Sequence, residues 1–277
     1  MQGDVILYCG DPHGKFRHIV GTANELRATA VILLGDMEAA RPLHEELGPI
    51  AERLWFIHGN HDTDSENNWT NLWGSKLASK NIDGRVAILP NGIRIAGLGG
   101  VFRESVWYPS LPKPPRFRTR KEHVEATLQD DRWKDGVPRK HWSTIYPDEL
   151  DRISQMQADI LITHEAPGYH HNGFEILDTL AQSMGVKVTV HGHHHDNLDS
   201  SERWAQQGFK SFGVGLRGIT AIDADGNAKV VLGFAIWRSV SKSRFFVAHS
   251  IEISNAFHQS RAIGELLAKR LTDGSTR

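Results

Sequence analysis

Cysteine is nearly absent from this 277-residue chain: Cys9 stands alone. No intrachain disulfide can form, and a reducing compartment fits. An excess of either charge is missing too. The 32 Lys and Arg residues face 33 Asp and Glu, a net charge of -1 with His neutral. That balance gives no bulk attraction to nucleic acid or to an anionic membrane, although a local patch stays open. No run of about eighteen or more apolar residues occurs, so no helical membrane span is expected. The start "MQGDVILYCGD" lacks the basic head and long apolar stretch of a secretory signal. A cytoplasmic protein is the expectation. Internal repeats and low-complexity tracts are lacking as well. What remains is 39% hydrophobic and 23% charged residues, enough to bury a core.

Histidine is the residue in excess, with 16 copies. The stretch "HGHHHD" alone holds His191, His193, His194 and His195. A purification tag does not suit an internal cluster that follows the strand-like run "KVTV".

Short apolar runs that stop at polar or glycine residues read as buried strands. They are "DVILYCGD", "AVILLGD", "LWFIHGNHD", "ADILITHEAPG" and "KVTVHGHHHDN". Between them, "HIVGTANELRAT" and "RPLHEELGPIAER" read as helices. The alternation predicts an α/β fold. Pro90, Asn91 and Gly92 between two apolar runs predict a hairpin. "KSFGVGL" and "GITAIDADGNAKVVLGFAIW" add further strands. The expected organisation is one domain over 1–277, with an insert at about 103–147 and a helical tail at about 253–272. The tail spaces Phe257, Ile263, Leu266, Leu267 and Leu271 as one helical face. Packing against the body is the expected role, with a dimer contact as the alternative. The insert is rich in proline, tryptophan and basic residues and is long for a connection. It reads either as a functional lid or as a solvated insertion held by a few buried tryptophans.

Five strands end in groups that suit metal ions. They supply Asp11 and His13, then Asp36, then Asn60, His61 and Asp62, then His164, and last His193 and His195. In an open α/β sheet, groups beyond the carboxyl ends of the strands can converge on one crevice. Carboxylate, amide oxygen and imidazole together suit Mn, Fe or Zn better than an all-oxygen calcium site. Gly10, Gly35, Gly59 and Gly192 stand at the strand exits, where a side chain would obstruct the turn or the approach of ion and substrate.

In order, these residues spell D-x-H, G-D, G-N-H-[DE], a lone His and G-H-x-H. That set resembles the calcineurin-like metallophosphoesterases, and the likeness covers roughly residues 4–195. The resemblance implies a four-layer αββα sandwich of two mixed β-sheets flanked by helices. It implies two divalent or trivalent metal ions, manganese foremost, with iron or zinc as alternatives. Asp11, His13, Asp36 and His195 would hold one ion. Asp36, Asn60, His164 and His193 would hold the other, with Asp36 as the bridge. Hydrolysis by direct attack of a metal-bridging hydroxide follows from the likeness, with His61 as general acid and Asp62 orienting its ring.

The substrate is less determined. "GDMEAARP" and "IHGNHD" lack the G-D-x-V-D-R-G motif and the preceding Arg of the serine/threonine protein phosphatases. "THEAP" resembles the RNA debranching enzymes loosely, but those carry Cys where this chain has Asp11. The expectation is a phosphodiesterase or phosphatase acting on a nucleotide-like phosphoester. A nuclease or RNA-processing phosphodiesterase is the alternative, and a non-catalytic scaffold a more distant one. Partners expected are the phosphoester, of nucleotide or short nucleic-acid type, and no membrane; the oligomeric state is left open. Alternation along an extended segment predicts that His193 and His195 point into the cleft and His194 away. His191 is expected beside the site without a ligand role. For His170 and His171, a plain exposed loop is the first reading and the cleft wall the second.

Overall fold

Strands that are apolar on both faces need a partner layer on each side. The computed structural model, which describes residues 5–233, provides both. In chain order the strands are β1 (Ile6–Cys9), β2 (Ala30–Leu33), β3 (Leu54–Phe56), β4 (Arg85–Ile88) and β5 (Arg94–Leu98). They continue with β6 (Ile160–Thr163), β7 (Val188–His191), β8 (Lys210–Gly213), β9 (Ile219–Ile222) and β10 (Ala228–Leu232). One sheet has the order β10-β9-β1-β2-β3 and the other β4-β5-β6-β7-β8. In each, a parallel group is edged by antiparallel strands: β9 and β10 in the first, β4 in the second.

Side-chain alternation sorts the core. Leu7, Cys9, Val31 and Leu33 pack with Ile19 and Ala23 of helix α1 (Arg17–Glu25), and with Leu43 and Leu47 of α2 (Leu43–Leu47). Their neighbours Ile6, Tyr8 and Ile32 pack with Ile160, Ile162, Val188 and Val190 of the second sheet. The outer face of that sheet, at Ala96, Leu98 and Leu161, meets Ile153, Leu177 and Leu180 from helices on its far side. The result is the expected αββα sandwich. Leu33 has no exposure to solvent, so Leu33→Ala would cost about 2–5 kcal/mol.

The hairpin predicted at Pro90–Gly92 joins β4 and β5, with Ile88 opposite Arg94. Three helical segments differ from the sequence expectation. "RPLHEELGPIAER" is a short α2 followed by a 3₁₀ segment, Gly48–Arg53. Pro49 has no N–H to continue the α ladder. Helix α3 (Glu66–Trp73) is hidden in the sequence among polar residues; Ser65 caps it by accepting from the Asn68 N–H at 3.0 Å. The helix Glu175–Ser183 is a further addition, and Leu177, Leu180 and Ala181 mark its buried face. The tail helix expected at 253–272 lies outside the described residues.

The insert is built of short helices. Arg120–Ala126 is helical and opens on a capping box between Thr119 and Glu122. Trp142 and Trp133 meet Trp69 of α3 edge-on, at ring distances of 5.0 and 5.9 Å. Arg120 pairs with Glu149 at 2.8 Å and donates to the backbone carbonyls of His141 and Thr144. Trp133 and Trp142, both half-buried, thus tie part of the insert to α3.

Candidate metal centre

The parallel strands of both sheets end at one crevice. Oxygen and nitrogen atoms of Asp11, His13, Asp36 and His195 lie within 4.8 Å of one another, and so do those of Asp36, His164 and His193. Asp36 belongs to both groups. The Asn60 amide oxygen is 3.2 Å from the Nε2 atom of His164. All seven residues expected as ligands thus meet in one place, in two groups that share an aspartate.

The backbone is bent to achieve this. Asp11, His13, Asp36, His193 and His195 have φ of 39, 42, 51, 67 and 60°. That left-handed region is uncommon for residues with a Cβ and costs of order 1–3 kcal/mol each. It also corrects the reason given for the histidine pair. β7 ends at His191, so His193 and His195 share the crevice because each is itself left-handed, not because the strand alternates. His194 turns the other way and stacks on His170 at 3.9 Å.

Two glycines leave the room required. A Cβ on Gly35 (φ 107°) would lie 2.3 Å from the His164 ring, and one on Gly59 would lie 2.2 Å from an Asp36 oxygen. Neither is tolerable without displacing the donors.

The rings are presented by their second nitrogens. His164 donates from Nδ1 to the Leu34 carbonyl at 2.7 Å, and His13 binds Glu38 through Nδ1. Both arrangements leave the Nε2 lone pair facing the crevice. The Nε2 atoms of His13 and His195 face each other at 3.2 Å, a spacing that calls for a proton or a cation between them.

Electrostatics favour the cation. Burial pushes the Asp11 carboxyl up to about 7 against the pull of His164, and the Asp36 charge adds to the push. Burial also works against charge on Asp36 and His164. Their mutual attraction and hydrogen bond prevail, holding the Asp36 carboxyl low and raising His164 to about 10. Burial, then the charged His164, pushes His193 down, and burial with His13 lowers His195. Neutral His193 and His195 beside crowded carboxylates are in the state a metal ligand set requires, and His164 would give up its proton when an ion takes the place of that charge. The residues present therefore fit the two ions implied by the family.

Asp62 differs from its expected role. Its oxygens accept the backbone N–H groups of Gly59 at 2.8 Å and Glu38 at 3.1 Å. The His61 ring is bound instead by Asp64, from Nδ1 to a carboxylate oxygen at 2.6 Å. Burial opposes charge on His61, but the bond to Asp64 and the charge of Asp36 raise its pKa overall.

Sequence reasoning missed four residues at the site's edge. Glu38 lies two positions after Asp36, with a left-handed φ of 42°, and Asp64 lies three after His61. Glu165 follows His164 directly, is buried, and lies 3.8 Å from the His193 ring. Arg103, in the insert, has a buried Nε atom without a hydrogen-bond partner and interacts with Asp64, Glu165 and Asp36. No motif flagged them; proximity to motif residues was the available signal for the first three. His170 is buried rather than part of an exposed loop, and Asp196 binds it at 3.2 Å. Its neighbour His171 is exposed. His191 is buried too, with the Tyr169 hydroxyl 2.6 Å from its Nε2.

The sequence pattern of the calcineurin-like phosphoesterases matches residues 5–197. An uncharacterized protein of Haemophilus influenzae is 40% identical over 225 residues, which cover 80% of this chain and 95% of that one. The crystal structure of TT1561 of Thermus thermophilus superposes with a TM-score of 0.54 at 14% identity, covering 83% of this chain and 98% of that one. A dimetal phosphatase of Danio rerio gives a TM-score of 0.41 at 13% identity, with 79% and 92% covered.

Proposed function

This chain belongs to the calcineurin-like phosphoesterases, binuclear metal-dependent phosphoester hydrolases, and from that premise we propose that it cleaves phosphodiesters of nucleotide type. The observation that carries metal-dependent phosphoester hydrolysis, the core of this reading, is the convergence of seven donors in two groups around Asp36. Asp11, His13, Asp36 and His195 would hold one ion, and Asp36, Asn60, His164 and His193 the other. When bound, such ions polarise phosphoryl oxygens and make water a nucleophile near neutral pH.

The remaining residues have distinct tasks in this reading. His61 is half-exposed at the crevice. With Nδ1 held by Asp64, its Nε2 is free to give a proton to the leaving oxygen. Asp62 fixes the loop that carries Asn60 and His61. Arg103 is a cation with an open donor among carboxylates, suited to a non-bridging phosphate oxygen. The cytoplasm is part of the same reading, supported by a free, buried Cys9. Among the described residues no helix is long and apolar enough to cross a membrane.

The test is hydrolysis of bis(p-nitrophenyl) phosphate and p-nitrophenyl phosphate after loading with manganese, iron or zinc. Faster cleavage of the diester supports the reading. Inactivity with all three metals, or cleavage of the monoester alone, overturns it.

A further inference from the structure

We infer that the cavity beside the candidate metal centre, walled by Trp107, Tyr169, His171, Lys113 and Arg203, binds the nucleoside part of the substrate. This rests on the phosphodiesterase reading and adds where the organic group sits and what recognises it.

The cavity holds about 990 Å³, against about 500 Å³ or less for three others among the described residues. It is at the upper end of the usual range for a small-molecule site, roughly 300–1,000 Å³. Four segments form its walls; one is the helix Glu175–Ser183, and the other three lead out of the crevice. The arm from Trp107 to Lys113 follows Arg103. The turn from Gly168 to Gly173 follows His164 and Glu165, and the stretch from Leu198 to Arg203 follows His195.

A row of imidazoles connects the two places. His164 is 4.9 Å from His193, His193 is 4.9 Å from His194, and His194 stacks on His170 at 3.9 Å. His171 is 4.3 Å further along, and both His170 and His171 line the cavity. Two ring spacings separate a ligand-group histidine from the cavity wall. A phosphate at the centre and a base in the cavity can therefore belong to one molecule.

The wall chemistry suits a nucleoside better than a lipid or a bare sugar. Trp107, Tyr169 and His171 are flat rings, and base stacking is worth about 1–3 kcal/mol per base. Tyr169 is anchored through its hydroxyl at His191, and Trp107 rests edge-on against Phe102 at 5.4 Å. Both rings have a contact that positions them at the wall. Lys113 and Arg203 have no carboxylate partner among the described residues; Arg203 reaches only Gln206, at 3.4 Å. They are free to meet a further phosphate or the polar edge of a base. Glu175, the acid on the wall, can accept from an exocyclic amine or a ribose hydroxyl.

The experiment is calorimetric titration of the full chain, loaded with manganese, with AMP and with ribose 5-phosphate. The two probes differ by the base. AMP should bind about 10-fold tighter or more. Ser110→Trp, which fills the cavity from an exposed position, and Lys113→Glu should each abolish that preference while the melting temperature holds. Equal affinities, no binding of either probe, or a preference unaffected by both variants overturns the inference. Cleavage of bis(p-nitrophenyl) phosphate by the wild-type protein tests the underlying reading separately. If cleavage fails but the AMP preference stands, the cavity assignment survives and the activity does not. The reverse result removes the cavity assignment alone.

Discussion

The Nδ1 atom of His61 lies 2.6 Å from an Asp64 oxygen, while the adjacent Asp62 faces the protein interior. Asp64 sets which nitrogen of the ring is presented; Asp62 ties the Gly59 turn to the Glu38 turn. Asp64→Asn should slow turnover by about 10–100-fold, most strongly for poor leaving groups, with metal content unchanged. Asp62→Asn should lower both stability and activity whatever the leaving group, because its amide turns an NH₂ toward an N–H donor. The same leaving-group dependence in both variants would contradict this division.

The four clustered histidines should respond unequally. His193→Ala and His195→Ala should each lose about one metal ion, measured by elemental analysis of the purified protein. His194→Ala should retain both ions, since its ring stacks on His170. Loss of metal in His194→Ala would count against the assignment.

Gly59→Ala places a Cβ 2.2 Å from an Asp36 oxygen, whereas nothing lies within 4 Å of a Cβ on Gly21. Gly59→Ala should lose metal binding and turnover together. Gly21→Ala, at an exposed position inside helix α1, should be as active as wild type and more stable by about 0.5–1 kcal/mol. Thermal melts and metal content of the two variants check this.

Arg103→Ala should lower kcat/KM by about 10²–10³-fold if its guanidinium binds the phosphate in the transition state. Arg103→Lys should recover only part of the loss, because a point charge lacks the forked donors. Full recovery by lysine would show that charge alone matters.

Burial, with the charges of His123 and Lys140, pushes His141 down to about 3. In the unfolded chain it titrates near 6.5. Below that pH the unfolded state takes up a proton that the folded insert refuses. Its stabilising contribution is whole above about 6.5 and is lost at no more than about 1.4 kcal/mol per pH unit as the pH falls toward 3. Urea unfolding at pH 7.5 and 5.0 should show a smaller pH effect in His141→Gln than in wild type. An identical pH effect would remove the assignment.

Much of this protein was readable before any coordinates. Short apolar runs gave β1, β2, β3, β6 and β7, because a strand buried on both faces needs no alternation to be recognised. Ordered motifs at the strand ends named the residues that the structure brings together. Polar helices such as Glu66–Trp73 escaped, since their stability comes from tertiary packing rather than local pattern. The insert could be read two ways because tryptophan serves equally for stacking a ligand or filling a core.

Sequence alone named the polar residues that gather at the crevice, and their order: Asp11 with His13, Asp36, Asn60 with His61, His164, and His193 with His195. It did so because chemistry depends on residue type, and the strands that carry those types are local. Tertiary structure decided which carboxylate serves which ring. Asp62 is nearer to His61 in sequence, yet Asp64 reaches the imidazole, because the 3₁₀ turn His61–Thr63 buries Asp62 against the Glu38 backbone. It also brought Glu165 to His193 and Arg103 to the carboxylates. Those pairings depend on where separate strand ends come to rest, and no one-dimensional pattern records that distance.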